Sequence, residues 1–298
     1  MSFKPPDQIA TAAVNAGLAK ARLSPDRMFA GSILAGAYIG FAGLLGIAVT
    51  SGLKVESWGT LPSLIFGLVF STGLILVIIA GSELVTGNMA LLPLAVSQRP
   101  RLLGRASMSI VIVTIGNLVG SLIVAYLFAV KTGVVGSATS KAGSPGALTF
   151  ARLTGIATTK ALTETDLQIF LRAMACNWLV CLAVWMAFAA DDIGGKILAI
   201  IFPITGFVAM GFDHVVANMF FLPAAVFAHA PGIAWGAVVN NWVFAFLGNF
   251  IGAGVFVAGF YWFLYLRGRE NLTTPDGVEV TPTRNARSEA GQNAAGPR

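Results

Sequence analysis

Long stretches without Asp, Glu, Lys or Arg alternate along the chain with short polar breaks. The charge-free runs cover residues 28–53, 57–82, 84–98, 106–130, 173–190, 197–212 and 214–266. A transmembrane helix needs about 20 apolar residues. The last run is far too long for one helix, and "HAPG" at 229–232 divides it. The pattern predicts six spans, roughly 28–50, 62–97, 106–130, 167–190, 196–228 and 234–266, with the second and fifth interrupted by polar segments.

The interruptions repeat. "TGNMALLPLAV" at 86–96 is matched 130 positions later by "VANMFFLPAAV" at 216–226. Asn88, Met89, Leu92, Pro93, Ala95 and Val96 recur as Asn218, Met219, Leu222, Pro223, Ala225 and Val226, and Glu83 just upstream matches Asp213. "GNLVG" at 116–120 reappears as "GNFIG" at 248–252. Each copy holds three spans (28–130 and 167–266), and an odd number turns the second copy over in the bilayer. In inverted repeats the binding path lies near the bilayer middle, between discontinuous helices of the two halves. Irregular backbone at membrane depth is tolerated only where protein or water satisfies it, which places "GSELVTGN" and "GFDHVVAN" around an interior path.

Composition supports this picture: 56% of residues are hydrophobic, 11% are charged, and the mean hydropathy is +0.79. Soluble domains carry about a quarter charged residues. The net charge of +6 comes from Lys and Arg scattered over loops and tails, so no nucleic-acid partner is expected. Their placement speaks to topology instead. With both termini in the cytoplasm, thirteen Lys and Arg lie inside against five outside, as the positive-inside rule requires. Residues 1–27 lack the apolar core of a signal peptide and read as an amphipathic helix lying on the cytoplasmic surface ahead of the channel-forming segment 28–268. The tail 269–298, rich in Asn, Thr, Ala and Gly, reads as disordered. Cys176 and Cys181 lie about 140° apart around one helix and read as packing residues.

Charged groups at mid-membrane are expensive and are usually functional or paired. Glu83 and Asp213 stand just before a new half-helix, where a carboxylate can accept bonds from exposed backbone N–H groups. They read first as holding the breaks in shape, with Asn88 and Asn218, and a direct transport role is the second reading. His214 aligns with Leu84 in the other copy. A histidine at a helix break on the repeat axis, able to exchange a proton near neutral pH, reads as a substrate contact. Thr86 in the facing break offers a hydroxyl to His214 or the substrate, or caps its own half-helix. Asn177 is read either as a third polar group on the path or as an interhelical bond. Phe70 and Leu74 share a helix face, and with Leu84 and Phe207 they are candidates to seal the path.

At "LVIIAGSELVTGNM" (76–89), "CNWLVCLAVWMA" (176–187) and "GFDHVVANM" (211–219) the sequence resembles the formate–nitrite transporter family, closest to its nitrite channel branch. The resemblance covers about residues 8–268. It implies an all-α, aquaporin-like integral membrane fold, a homopentamer in the cell's cytoplasmic membrane with one pore per subunit, and passage of small monovalent anions such as nitrite, formate and hydrosulfide. It places the family's central histidine on His214, its loop threonine on Thr86, its pore asparagine on Asn177, and its two constrictions on Phe70, Leu74, Leu84 and Phe207. The vestibule lysine falls on Lys160, with one residue more than expected between it and Asn177.

The resulting expectation is a nitrite channel without cofactor or metal. Lys160 and the half-helix N-termini would gather the anion, and a proton from His214 would let it cross as the neutral acid. A formate or hydrosulfide channel of the same family is one alternative; a neutral-solute pore is an alternative of another kind, although the paired Asn-Pro-Ala tripeptides of aquaporins are missing. An intramembrane enzyme lacks support: no His-Glu-x-x-His or Gly-x-Ser-x-Gly motif occurs, and the only two histidines lie 15 residues apart.

Overall fold

The computed structural model describes residues 3–268, and these form helices, with one isolated bridge between Phe3 and Ala190. In chain order they are α1 (Pro6–Arg22), α2 (Pro25–Thr50), the single turn α3 (Val55–Trp58), α4 (Leu61–Ile79), α5 (Val85–Gln98), α6 (Leu103–Ile123), α7 (Pro145–Thr158), α8 (Asp166–Ala187), α9 (Ile193–Ala209), α10 (Val215–Phe227) and α11 (Trp235–Ala253). π-helical turns extend α6 over Val124–Lys131 and α11 over Gly254–Gly259, and another follows α7 over Thr159–Thr163.

Five helices are long and apolar enough to cross a membrane: α2, α4, α6 with its extension, α8, and α11 with its extension. The fifth span is built from two shorter pieces, α9 and α10, as the second is from α4 and α5. Six spans with breaks in the second and fifth match the sequence pattern. Large apolar side chains such as Leu34, Phe41, Leu45, Phe202 and Phe263 point outward, as a lipid-facing surface requires.

The two copies pack alike. α2 pairs with α6 and α8 with α11, while α4 and α9 lie side by side across the repeat axis. Small residues allow close contact, the usual basis of helix association in lipid. A Cβ on Gly120 would lie 2.0 Å from the carbonyl oxygen of Ile33, and one on Gly252 would lie 2.1 Å from that of Met174. These glycines end "GNLVG" and "GNFIG", so the repeated motif marks matching helix contacts. The π-helical extension of each third span crosses to the other copy, that of α6 onto α10 and that of α11 onto α5.

Two segments differ from the sequence expectation. α1, expected as a surface helix, packs one face against α5: Ile9, Ala10, Ala13, Val14, Leu18 and Ala21 are buried, and a Cβ on Gly17 would lie 2.1 Å from the carbonyl oxygen of Leu91. The connector 131–166 was assigned no element, yet it contains α7. That helix begins at Ser144–Pro145, where the Ser144 hydroxyl accepts from the Ala147 N–H. Ser before Pro at a helix start is the expected cap pattern. The tail 269–298 lies outside the described residues.

Candidate functional site

Each break ends its first helix at a glycine in left-handed backbone, Gly81 (φ 79°) and Gly211 (φ 73°), where a side chain would be strained. The chain then starts a half-helix in the molecule's interior, α5 after Leu84 and α10 after His214. A half-helix start exposes backbone N–H groups that need partners. Asn117 Oδ1 accepts from the Val85 N–H at 2.9 Å, and Asn249 Oδ1 accepts from the Val215 N–H at 2.9 Å. The same amides donate backward: Asn117 to the carbonyls of Ser32 and Glu83 (both 2.8 Å), Asn249 to those of Ala173 (2.7 Å) and Asp213 (2.9 Å). One asparagine thus ties third span, first span and break together in each copy.

The break carboxylates do not cap the half-helices, as their position suggested; the first N–H of each, Val85 and Val215, belongs to an asparagine. Each carboxylate instead meets a lysine and an amide. Glu83 takes Lys20 Nζ at 2.8 Å and Asn88 Nδ2 at 3.0 Å. Asp213 takes Lys160 Nζ at 2.8 Å and Asn218 Nδ2 at 2.8 Å. Lys160 also points at the carbonyls of Phe212 and Gly211. Lys20 lies in the last turn of α1 and Lys160 sits in the π-helical turn after α7. The repeat unit is therefore longer than three spans, because each copy is preceded by a helix that delivers a lysine to its break.

Thr86 and His214 meet where the two half-helices start, with Thr86 Oγ1 2.9 Å from His214 Nε2. The Ala217 N–H donates to His214 Nδ1 at 3.1 Å, so the histidine caps α10 with one nitrogen. That bond fixes the tautomer: Nδ1 is an acceptor, Nε2 carries the hydrogen, and Nε2–H donates to Thr86 Oγ1. The Thr86 hydroxyl hydrogen remains to be offered elsewhere. Asn177 is fully buried and spends its amide on the carbonyls of Thr86 (3.1 Å) and Asn249 (2.9 Å). It braces the crossing point as an interhelical strut.

A cavity lies beside each break. One, of 280 Å³, is lined by Lys160, His214, Phe70 and Phe207 among others. The other, of 560 Å³, is lined by Lys20, Glu83, Leu74 and Leu84 among others. Phe70, Leu74, Leu84 and Phe207 are each 3% exposed; Phe70 and Phe207 line the first cavity, Leu74 and Leu84 the second. Phe207 meets Phe70 edge-on at 6.1 Å and stacks on the His214 ring at 6.1 Å. The first cavity thus combines Lys160, Arg152 and Arg172 with Phe70 and Phe207, and the second combines Lys20, Arg27 and Lys196 with Leu74 and Leu84.

A family model described as "Formate/nitrite transporter" matches residues 7–263. The chain belongs to the formate/nitrite transporter family. It is 44% identical over 265 residues to an uncharacterized transporter of Bacillus subtilis (strain 168), covering 89% of this chain and 95% of the relative. It is 43% identical over 277 residues to a probable formate transporter of Methanothermobacter thermautotrophicus (89% and 98% covered). A nitrite transporter of Escherichia coli (strain K12) is 32% identical over 267 residues (88% and 93% covered), which supports the nitrite branch only weakly. Among solved structures, an FNT family ion channel matches with TM-score 0.77 at 30% identity (86% and 98% covered). A pentameric formate channel with formate bound matches with TM-score 0.68 at 30% identity (82% and 98% covered). This is a multi-pass membrane protein of a transporter family. None of these similarities favours the neutral-solute alternative.

Sequence reasoning left several site residues unassigned. Asn117 and Asn249 stand inside the repeated motif, but it served only as a marker of repetition. Lys20 was counted only as an inside charge. Arg172 and Glu164, which pair with each other beside Lys160, were not connected to the site.

Proposed function

We propose that each subunit of a homopentamer conducts small monovalent anions across the cytoplasmic membrane, formate foremost and nitrite second, and that the anion crosses the seals as its neutral acid. What supports this reading is that each break carries a cavity combining lysine with apolar side chains, and that the Thr86–His214 hydrogen bond joins the two half-helix starts. Both termini lie in the cytoplasm, so the mouth beside α1 is the inner one and the mouth beside α7 the outer. Formate is placed ahead of nitrite because the pentameric formate channel and the 43% identical relative both carry formate in their descriptions.

Lys20 and Lys160 gather the anion by charge, and the N-termini of α5 and α10 add positive potential. An ionised carboxylate cannot cheaply leave water for an apolar ring. Protonation at the mouth removes that cost, and the Thr86 hydroxyl, oriented by His214, then offers one hydrogen bond to the acid between the seals. A second proton on His214 would have to take Nδ1 from the Ala217 N–H, so relay through the histidine requires the cap of α10 to open. Stopped-flow flux into proteoliposomes tests the reading, with formate, nitrite and glycerol compared at several pH values. Fast formate and nitrite flux that rises as pH falls, with no glycerol flux, is expected. Glycerol flux matching that of formate, or no flux of either acid, would overturn it.

A further inference from the structure

Glu164 follows the π-helical turn that carries Lys160, and its side chain is 3% exposed. Its Oε1 receives Arg172 Nη1, while Oε2 is buried with no donor in reach. Asp213 Oδ2 is likewise buried without a donor. The two side chains lie within hydrogen-bonding reach of each other. Two ionised carboxylates offer only acceptors, so one proton held between the two groups would supply the donor that both lack.

We propose that Glu164 and Asp213 share one proton at the outer mouth, and that Glu164 sets through this proton how strongly the mouth captures an anion. The second part rests on the anion-conduction reading; the first does not. The charged or titratable groups facing Glu164 are Lys160 from its own turn, Arg172 from α8, and Asp213 and His214 from the break, with Arg152 of α7 lining the same cavity. Asp166 on α8 is turned toward Asn240. Three cations face two carboxylates when Glu164 is ionised, a balance of one positive charge. Binding the proton makes it two. Burial raises the Glu164 carboxyl to about 7; Lys160 and Arg172 oppose the rise and Asp213 adds to it. The mouth thus gains cationic character within the physiological range, where free glutamate does not titrate.

Infrared difference spectroscopy of the full-length protein in lipid, titrated with pH, tests the proton directly. The wild type is expected to show a protonated-carboxyl C=O stretch that disappears with a midpoint near neutrality. Glu164→Gln should lack the band and Glu164→Asp should retain one. Persistence of an unchanged band in Glu164→Gln, or its absence from the wild type, overturns the shared proton.

Formate uptake at about pH 6 and about pH 8 tests the consequence. Glu164→Gln should show a KM below the wild type by about threefold to tenfold at the higher pH, with a narrower gap at the lower, as expected for one charge at close range. A KM ratio that does not change with pH overturns the capture role. No flux in the wild type would overturn the anion reading and the capture role together, and the infrared titration would still decide the proton.

Discussion

Replacing Asn249 by Ala removes three hydrogen bonds at one stroke, to the Val215 N–H, the Ala173 carbonyl and the Asp213 carbonyl. All three backbone groups sit in the interior, where water does not replace the lost partner. Interhelical hydrogen bonds in membranes are each worth about 0.6 kcal/mol on average, up to about 1.7. An orphaned buried group costs about 1–3 kcal/mol. The substitution should therefore destabilise the fold by about 2–5 kcal/mol. By the repeat symmetry, Asn117→Ala should lose a similar amount, since it abandons the Val85 N–H and the Ser32 and Glu83 carbonyls. Asn177→Ala should lose less, because Asn177 donates to two carbonyls and receives no backbone N–H among the described contacts. The assay is SDS-driven unfolding of the purified protein in mixed micelles, followed by tryptophan fluorescence. Losses under about 0.5 kcal/mol for both Asn117→Ala and Asn249→Ala would refute the clamp role. A large loss at only one would refute the equivalence of the two breaks.

Other substitutions separate assembly, capture and sealing. Gly252→Ala places a Cβ against the Met174 backbone oxygen, so α8 and α11 should separate and the yield of folded protein on size-exclusion chromatography should fall sharply. Lys160→Gln leaves Asp213 buried without its cation; it should raise the KM for formate and destabilise the protein by about 3–5 kcal/mol. Lys160→Arg should restore part of the stability. Phe207→Ala, or Phe70→Ala, widens the seal nearest His214 and should admit larger acids such as lactate in a flux assay.

The breaks were legible because a polar residue in an apolar run is rare, and a rare pattern repeated at one spacing is rarer still. Glu83, Asp213, Asn88 and Asn218 were placed that way, and the structure gathers them in two matching clusters. Their partners were less visible. Lys20 and Lys160 reach their carboxylates across 63 and 53 residues, a distance no local pattern reports. α7 escaped notice because its connector contains polar and glycine-rich segments on the water-facing side, although Ser144–Pro145 announced its start. Asn117 and Asn249 look like ordinary polar residues within a span until the third dimension shows which N–H each one faces. Glu164 sits in a short polar stretch, "TETD", that reads as a solvated turn; burial beneath Arg172 is a tertiary property. The tautomer of His214 likewise depends on the Ala217 N–H, a contact that exists only once α10 has formed.

The central claim is that the substrate crosses the seals without charge. Formate flux into proteoliposomes, measured with and without an imposed membrane potential at equal pH on both sides, tests it most directly. Flux that is independent of the potential and is accompanied by acidification of the vesicle interior is expected. Flux that scales with the potential and leaves internal pH unchanged would mean that the bare anion passes Phe70, Phe207, Leu74 and Leu84, and would contradict the account.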